Sequence, residues 1–283
     1  MMILLLNALT GIALLVIVSL GIAVTVGMMG VINLAHGELV MIGAYTTLLL
    51  SRAGIPLLLA MLAAPVVAGL VGWLLEWLII RHLYGRMIDT LLATAGISMV
   101  LIQVARILFS SDSRSVPIPL GSLTLGDTSI SAYRLLMIAL AVGLLVLTYA
   151  IFKFTRYGLE ARATALNAPM AAAVGIDAAQ INRWTFVLGS ALAGVAGAIL
   201  APFTTVTPSM SGLFMARAFM TSITGGASIL LGTAASASIL GWVESVVSFF
   251  TTPVLGQVAL LSCAVVLLRL FPKGLSGAWG RSL

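Results

Sequence analysis

Apolar residues fill this chain in long runs, and polar positions fall mostly between the runs. No side chain before Glu38 carries a formal charge. A run of about 20 apolar residues is long enough to cross a bilayer as one helix. The pattern predicts nine such segments: Ile3–Gly27, Asn33–Leu50, Ile55–Ile80, Thr90–Phe109, Tyr133–Phe152, Trp184–Ala201, Ser211–Thr224, Ser228–Phe250 and Val254–Leu270. The seventh has only 14 residues and is too short to span alone. The expectation is therefore an all-α, polytopic transmembrane bundle of about eight or nine helices, forming one domain over residues 1–283. Composition agrees: 61% of residues are hydrophobic and 8% are charged, against roughly 25% charged in a soluble domain.

The interruptions carry the information. In "MMGVINLAHGELVMIGAYTT", Met28 to Thr47, the residues Asn33, His36 and Glu38 stand together among glycines. Irregular backbone at membrane depth survives only where protein or a watery cavity satisfies its polar groups. Asn33, His36 and Gly37 share a helical face by i, i+3, i+4 spacing. Two readings fit: a broken helix lining a solute path, or a cytoplasmic turn capped by asparagine. The fourth segment carries Thr90, Thr94 and Ser98 as a polar stripe, which can line a path or bond the preceding carbonyls. Arg217, with Thr221 and Thr224 on its face, needs an ion-pair partner in an apolar setting, and Glu244 and Glu38 are the candidates. Two ladders of small residues, Gly189-Ala193-Gly197 and Thr233-Ala237-Gly241, are suited to close helix packing. An internal echo relates Gly30–Gly37 to Gly225–Gly232 through the frame G-x-x-[N/S]-[L/I]-x-x-G, which adds Ser228 to the polar positions near a break.

Charge adds orientation. The net charge of +6 is concentrated: Arg81 and Arg86; Lys153, Arg156, Arg162 and Arg183; Arg269, Lys273 and Arg281 form three patches. Alternating crossings from an outer N-terminus put all three on one side, the cytoplasmic side by the positive-inside bias. No interleaving of aromatics with these charges indicates nucleic acid. Two loops stand out. Ser110–Ser131, with Pro117, Pro119 and Gly126, reads as an outward polar loop. The inward loop 153–183 contains a helical pattern, with Pro169 suited to a first turn and Gly175 to an end. That short helix of small residues is placed to dock on another protein. The first run has no preceding Lys or Arg, so it is expected to be a retained helix and not a cleaved leader.

Catalytic chemistry finds few footholds. The chain has no G-x-x-x-x-G-K-[S/T] and no H-E-x-x-H, its only histidines are His36 and His82, and its one cysteine, Cys263, sits mid-helix. Neither a metal site nor a catalytic residue is assigned. Gly274-Leu275-Ser276-Gly277 matches a serine pattern of some intramembrane proteases, but it lies in the polar tail without a nearby histidine. A transport subunit powered by other chains is favoured over an intramembrane enzyme. The translocation-path candidates are Asn33, His36, Glu38, Thr94, Ser98, Arg217 and Ser228.

The stretches "GVINLAHGELVMIGAY", "TLLATAGIS", "YGLEARATALNAPMAAAVGI" and "GGASILLG…GWVES" resemble, in order and over nearly the whole chain, the permeases of branched-chain amino acid ABC importers. The resemblance implies a multi-pass protein of the bacterial inner membrane that pairs with a second, related permease. Two cytoplasmic ATPases would bind below, and a soluble binding protein would deliver solute from outside. ATP would be held by the ATPases, so no cofactor is expected on this chain. Ala171, Ala172, Ala173, Val174, Gly175 and Ile176 match the coupling helix that seats in the ATPase. The implied solute is a branched-chain or other hydrophobic amino acid. "TLLATAGIS" and "TALNAPMAAAVGI" are similar to permeases for urea and short amides as well, which remain the alternative.

Overall fold

The computed structural model describes residues 2–110, 112–117, 121–125, 128–226 and 228–278. The long helices are α1 (Met2–Met29), α2 (His36–Arg52), α3 (Leu57–Leu78), α4 (Met87–Phe109), α5 (Ala132–Phe154), α8 (Ala178–Leu200), α9 (Met210–Gly225), α10 (Leu231–Phe250) and α11 (Pro253–Leu270). Three short helices complete the set: α6 (Arg156–Leu166), α7 (Ala168–Ala173) and α12 (Leu275–Ala278). A 3-10 turn at Ile80–His82 joins α3 to α4. The chain is a polytopic helical bundle.

Among the described residues, nine long helices fall where the apolar runs predict them, with two informative differences. Among the described residues, seven helices are long and apolar enough to cross a membrane. Helices α2 and α9 are not, at 17 and 16 residues. The shortfall in α2 arises because residues 33–35, expected inside the segment, stay non-helical. The second difference lies in the outward loop. It contains an antiparallel pair, β1 (Ser122–Leu125) with β2 (Thr128–Ser131), in place of the simple turn expected. The alternation S-L-T-L and T-S-I-S around Gly126-Asp127 is a hairpin signal of period two.

Backbone proximity divides the chain into two compact units, one of Met1–Leu20, Ile118–Val146 and Arg217–Leu283, the other of Gly21–Pro117 and Leu147–Ala216. In the second unit α8 is the hub. Between helices in lipid there is no hydrophobic drive, so close van der Waals packing through small residues supplies the attraction. Glycines on α8 bring it to backbone contact with three partners. A methyl on Gly189 would meet Thr25 and Gly21, one on Gly194 would meet Ala64 and Ala68, and one on Gly197 would overlap the Val40 carbonyl. From the other side, Gly43 of α2 lies against the Gly194 backbone. In the first unit α10 packs on α11, and Gly241 admits Ile12 of α1. The expected small-residue ladders are thus packing surfaces.

Helix α3 turns its outer face away from this hub. Leu58, Leu62, Val66, Leu70, Trp73 and Trp77 are all exposed on it. Trp73 and Trp77 stack, and the Arg81 guanidinium sits 5.2 Å from the Trp77 ring centre.

The basic loop differs from the membrane helices in how its helices begin. Thr155 accepts the Gly158 N–H at 3.0 Å, Asn167 accepts the Met170 N–H at 3.0 Å, and Asp177 accepts the N–H groups of Ala179 and Gln180 at 3.0 and 3.1 Å. Every helix from α6 to α8 therefore has a side-chain cap, which offsets the orphan donors of its first turn. Pro169 lies in the first turn of α7 as expected, and Gly175 follows it at φ +88°.

Candidate functional site at the helix breaks

Over residues 30–35 the opening polar knot is non-helical. Helix α1 stops at Met29, Gly30 takes φ +64°, and α2 begins only at His36. Glycine is the residue that adopts this left-handed backbone without a Cβ penalty. The freed backbone is satisfied from within the protein. Asn33 Oδ1 accepts the Ala35 N–H at 3.0 Å, and the Leu34 N–H donates to Thr94 Oγ1 on α4 at 3.1 Å. One turn further along, Ser98 donates to Glu38 Oε1 at 2.8 Å. Asn33, His36 and Glu38 are each no more than 2% exposed. Glu38 Oε2 is buried and has no hydrogen-bond partner among the described residues.

Five sequence-derived candidates, Asn33, His36, Glu38, Thr94 and Ser98, are therefore brought together around one break. Two details change. Asn33 precedes α2, so it does not share a helical face with His36 and Gly37; its side chain folds back onto the turn. Thr90 bonds the preceding carbonyls, Arg86 at 2.8 Å and Leu83 at 3.1 Å, whereas Thr94 and Ser98 reach across to the break. Thr94 also bonds the preceding Leu91 carbonyl at 3.1 Å, so within the stripe Thr90 bonds backward only, Thr94 does both, and Ser98 bonds Glu38. An apolar cluster of Val31, Ala35, Ile80, Ile97 and Phe186 seals the knot, with Tyr84 packed against it.

A second break repeats the plan in the other unit. Helix α9 ends at Gly225, Gly226 takes φ +83°, and α10 begins at Leu231. In both copies the new helix starts at the same step of the shared frame, His36 after Gly30 and Leu231 after Gly225. The left-handed glycine is offset by one position between them. Ser228 Oγ accepts the Gly232 N–H at 3.4 Å, and the Ser228 N–H donates to Ser276 Oγ at 3.1 Å. Ser276, in the tail run Gly274–Gly277, is buried and occupied in holding the break. Arg217 of α9 pairs with Glu244 of α10 at 2.8 Å, which settles its partner between the two carboxylates considered.

The comparisons bear on this architecture directly. The sequence profile described as "Branched-chain amino acid transport system / permease component" matches residues 4–270. The chain belongs to that family. The permease is 29% identical over 282 residues to the high-affinity branched-chain amino acid transport system permease protein LivH of Escherichia coli K12, covering 92% of this chain and 90% of that one. It is 28% identical over 284 residues to a probable LivH permease of Methanocaldococcus jannaschii, covering 93% and 89%. It is 29% identical over 285 residues to the permease protein BraD of Pseudomonas aeruginosa, covering 92% and 91%. The chain is accordingly a transport subunit and not an enzyme.

Two further features of the permease lie in the unit that holds the first break. In the basic loop, Leu166, Met170 and Val174 are 81%, 63% and 72% exposed, while Ala171 is buried against the chain itself. Ala172, Ala173 and Gly175 are exposed beside them, and Ile176 is partly covered. The sequence reading missed a second cluster, formed by Glu76, Tyr84 and Arg183. Glu76 on α3 is fully buried; its Oε2 accepts Arg183 Nε–H at 2.8 Å and its Oε1 accepts the Tyr84 hydroxyl at 2.6 Å. Burial, reinforced by the hydrogen bond to Glu76, pushes the Tyr84 hydroxyl well above the usual tyrosine range and keeps it a donor. The signal was present: Glu76 is the one ionisable residue of α3, and an acid inside a membrane helix is costly unless used.

Proposed function

We propose that this permease is the membrane subunit of an ABC importer that moves an aliphatic or other hydrophobic amino acid into a bacterial cytoplasm across the inner membrane. It pairs with a second, related permease, takes solute from an extracytoplasmic binding protein, and is driven by two cytoplasmic ATPases that hold the ATP. Transport proceeds by alternating access. The observation that carries the reading is the loop 153–183. Its three helix starts are each capped, so the loop is built to hold a shape, and it presents Leu166, Met170 and Val174 outside the long apolar helices. Exposed apolar side chains on a rigid polar loop mark a protein contact. Residues Ala171 to Ile176 are the coupling element of this contact.

Ala172→Glu tests it. Ala172 is exposed, so the permease itself has room for the larger side chain, while a carboxylate buried at a packed interface without a partner costs several kcal/mol. The expected outcome is a variant that reaches the membrane, loses its ATPases on co-purification and imports no leucine. Normal co-purification and uptake would remove this loop from the coupling role. The second reading, import of urea or a short amide, rests on "TLLATAGIS" and "TALNAPMAAAVGI". Uptake of labelled urea but not leucine by the reconstituted assembly would establish it instead.

A further inference from the structure

We propose that Glu76, Tyr84 and Arg183 form a transmission clasp that makes the coupling loop and the first helix break move as one body. The inference rests on the coupling role assigned to the loop. Three elements meet at one buried carboxylate. Glu76 comes from α3, Arg183 from the second turn of α8, and Tyr84 from the turn before α4. Arg183 lies just beyond the Asp177 cap, so any displacement of α7 reaches α8 at this residue. The other end of the loop is tied to the same part of α8: Tyr157 of α6 and Thr185 share a hydrogen bond of 2.7 Å, and Ala161 and Ile181 are buried. Helix α7 is therefore held between two fastened neighbours. The third member of the clasp completes the route, because Tyr84 packs against the cluster that contains Val31 and Ala35 of the break.

Stability does not call for this chemistry. Apolar residues of similar volume commonly match or exceed a buried ion pair in stability. What the polar trio supplies is direction. An apolar contact can slide, whereas two hydrogen bonds on the separate oxygens of one carboxylate fix the relative positions of three segments. Above the clasp, Gly72 admits Ser190 and Gly194 admits Ala64 and Ala68, so α3 and α8 cannot shift past one another without a clash. A push on α7 is then carried to the break as a rigid displacement.

The test uses the full assembly of permeases, ATPases and binding protein in lipid, in a Cys263→Ala background. Spin labels at Leu159→Cys and Leu70→Cys, both exposed and neither in the docking contact, report the separation of loop and α3. The second readout is ATP hydrolysed per solute imported, measured with whichever of leucine and urea the unsubstituted assembly carries. Glu76→Gln leaves no buried charge unpaired, and Tyr84→Phe removes one hydrogen bond and no charge, so at least one of them is a folded test. The expected result is a label distance that is narrow in the parent and broad in the variant, with at least a threefold rise in ATP consumed per solute. Arg183→Lys, which keeps a cation facing Glu76, should retain most of the parent values of both. An unchanged distance distribution overturns the clasp, and so does an unchanged ratio, including the case where uptake and hydrolysis fall together with the amount of assembled protein. Failure of the docking reading appears separately, as normal ATPase co-purification by Ala172→Glu.

Discussion

Asn33 shows how much one side chain does in a setting without water. Its Oδ1 takes up the Ala35 N–H, a donor freed by the break and buried in the knot. Leaving a buried donor unpaired costs about 1–3 kcal/mol. Asn33→Leu should therefore lower the melting temperature of the purified permease and reduce uptake per folded molecule, because the turn that sets the α2 entry loses its tie. A variant with unaltered melting and unaltered uptake would show that the bond is dispensable. At this scale the sequence was partly legible. Asn33, His36 and Glu38 announced themselves by being polar inside an apolar run, and Pro169 and Gly175 by their backbone demands. The hydrogen bond from Leu34 to Thr94 spans 60 positions of chain, and no local pattern encodes such a pairing. Glu76 and Arg183 are 107 positions apart, so the pairing that defines the second cluster is not local either.

Among the elements, α8 bears the heaviest constraint, since its glycines face three other segments at backbone distance. A Cβ on Gly43 of α2 would overlap the Gly194 backbone, so α2 and α8 would have to separate to accommodate one. Overpacking a tight contact commonly costs about 1–3 kcal/mol and sometimes more. Gly43→Val should sharply lower the yield of monodisperse permease in size-exclusion chromatography, whereas Gly96→Val, where nothing lies within 4 Å, should not. Equal yields from both would show that this helix pair tolerates a wider spacing than its backbone contact implies. Periodicity located these helices well because lipid-crossing runs are long and unambiguous. It began α2 three residues early, at Asn33, because Leu34 and Ala35 continue the apolar pattern across a break whose cause is backbone geometry, and it missed the hairpin because four-residue strands leave little pattern.

For the whole molecule, the orientation expected from the three basic patches is open to a direct check. With Cys263 replaced, Ala53→Cys on the turn after α2 and Ala179→Cys at the start of α8 are both exposed. A membrane-impermeant thiol reagent added to intact cells should label the first and spare the second. Equal labelling would overturn the assigned sidedness. The outer face of α3 then sets a ruler against the bilayer. Tryptophans settle at the boundary between headgroups and chains, and arginines reach past it to water. Trp77 with Arg81 against its ring marks one boundary, and Leu57 opens the helix at the other end. Twenty residues of rise separate those points, about 30 Å at 1.5 Å per residue, which is close to the hydrocarbon thickness of an ordinary bilayer. With no surplus length to take up by tilting, this face moors the permease at a fixed depth, and a thicker membrane must either thin around it or draw its polar ends into oil. Hydrophobic matching thus makes the surrounding lipid one of the conditions under which the bundle holds its place.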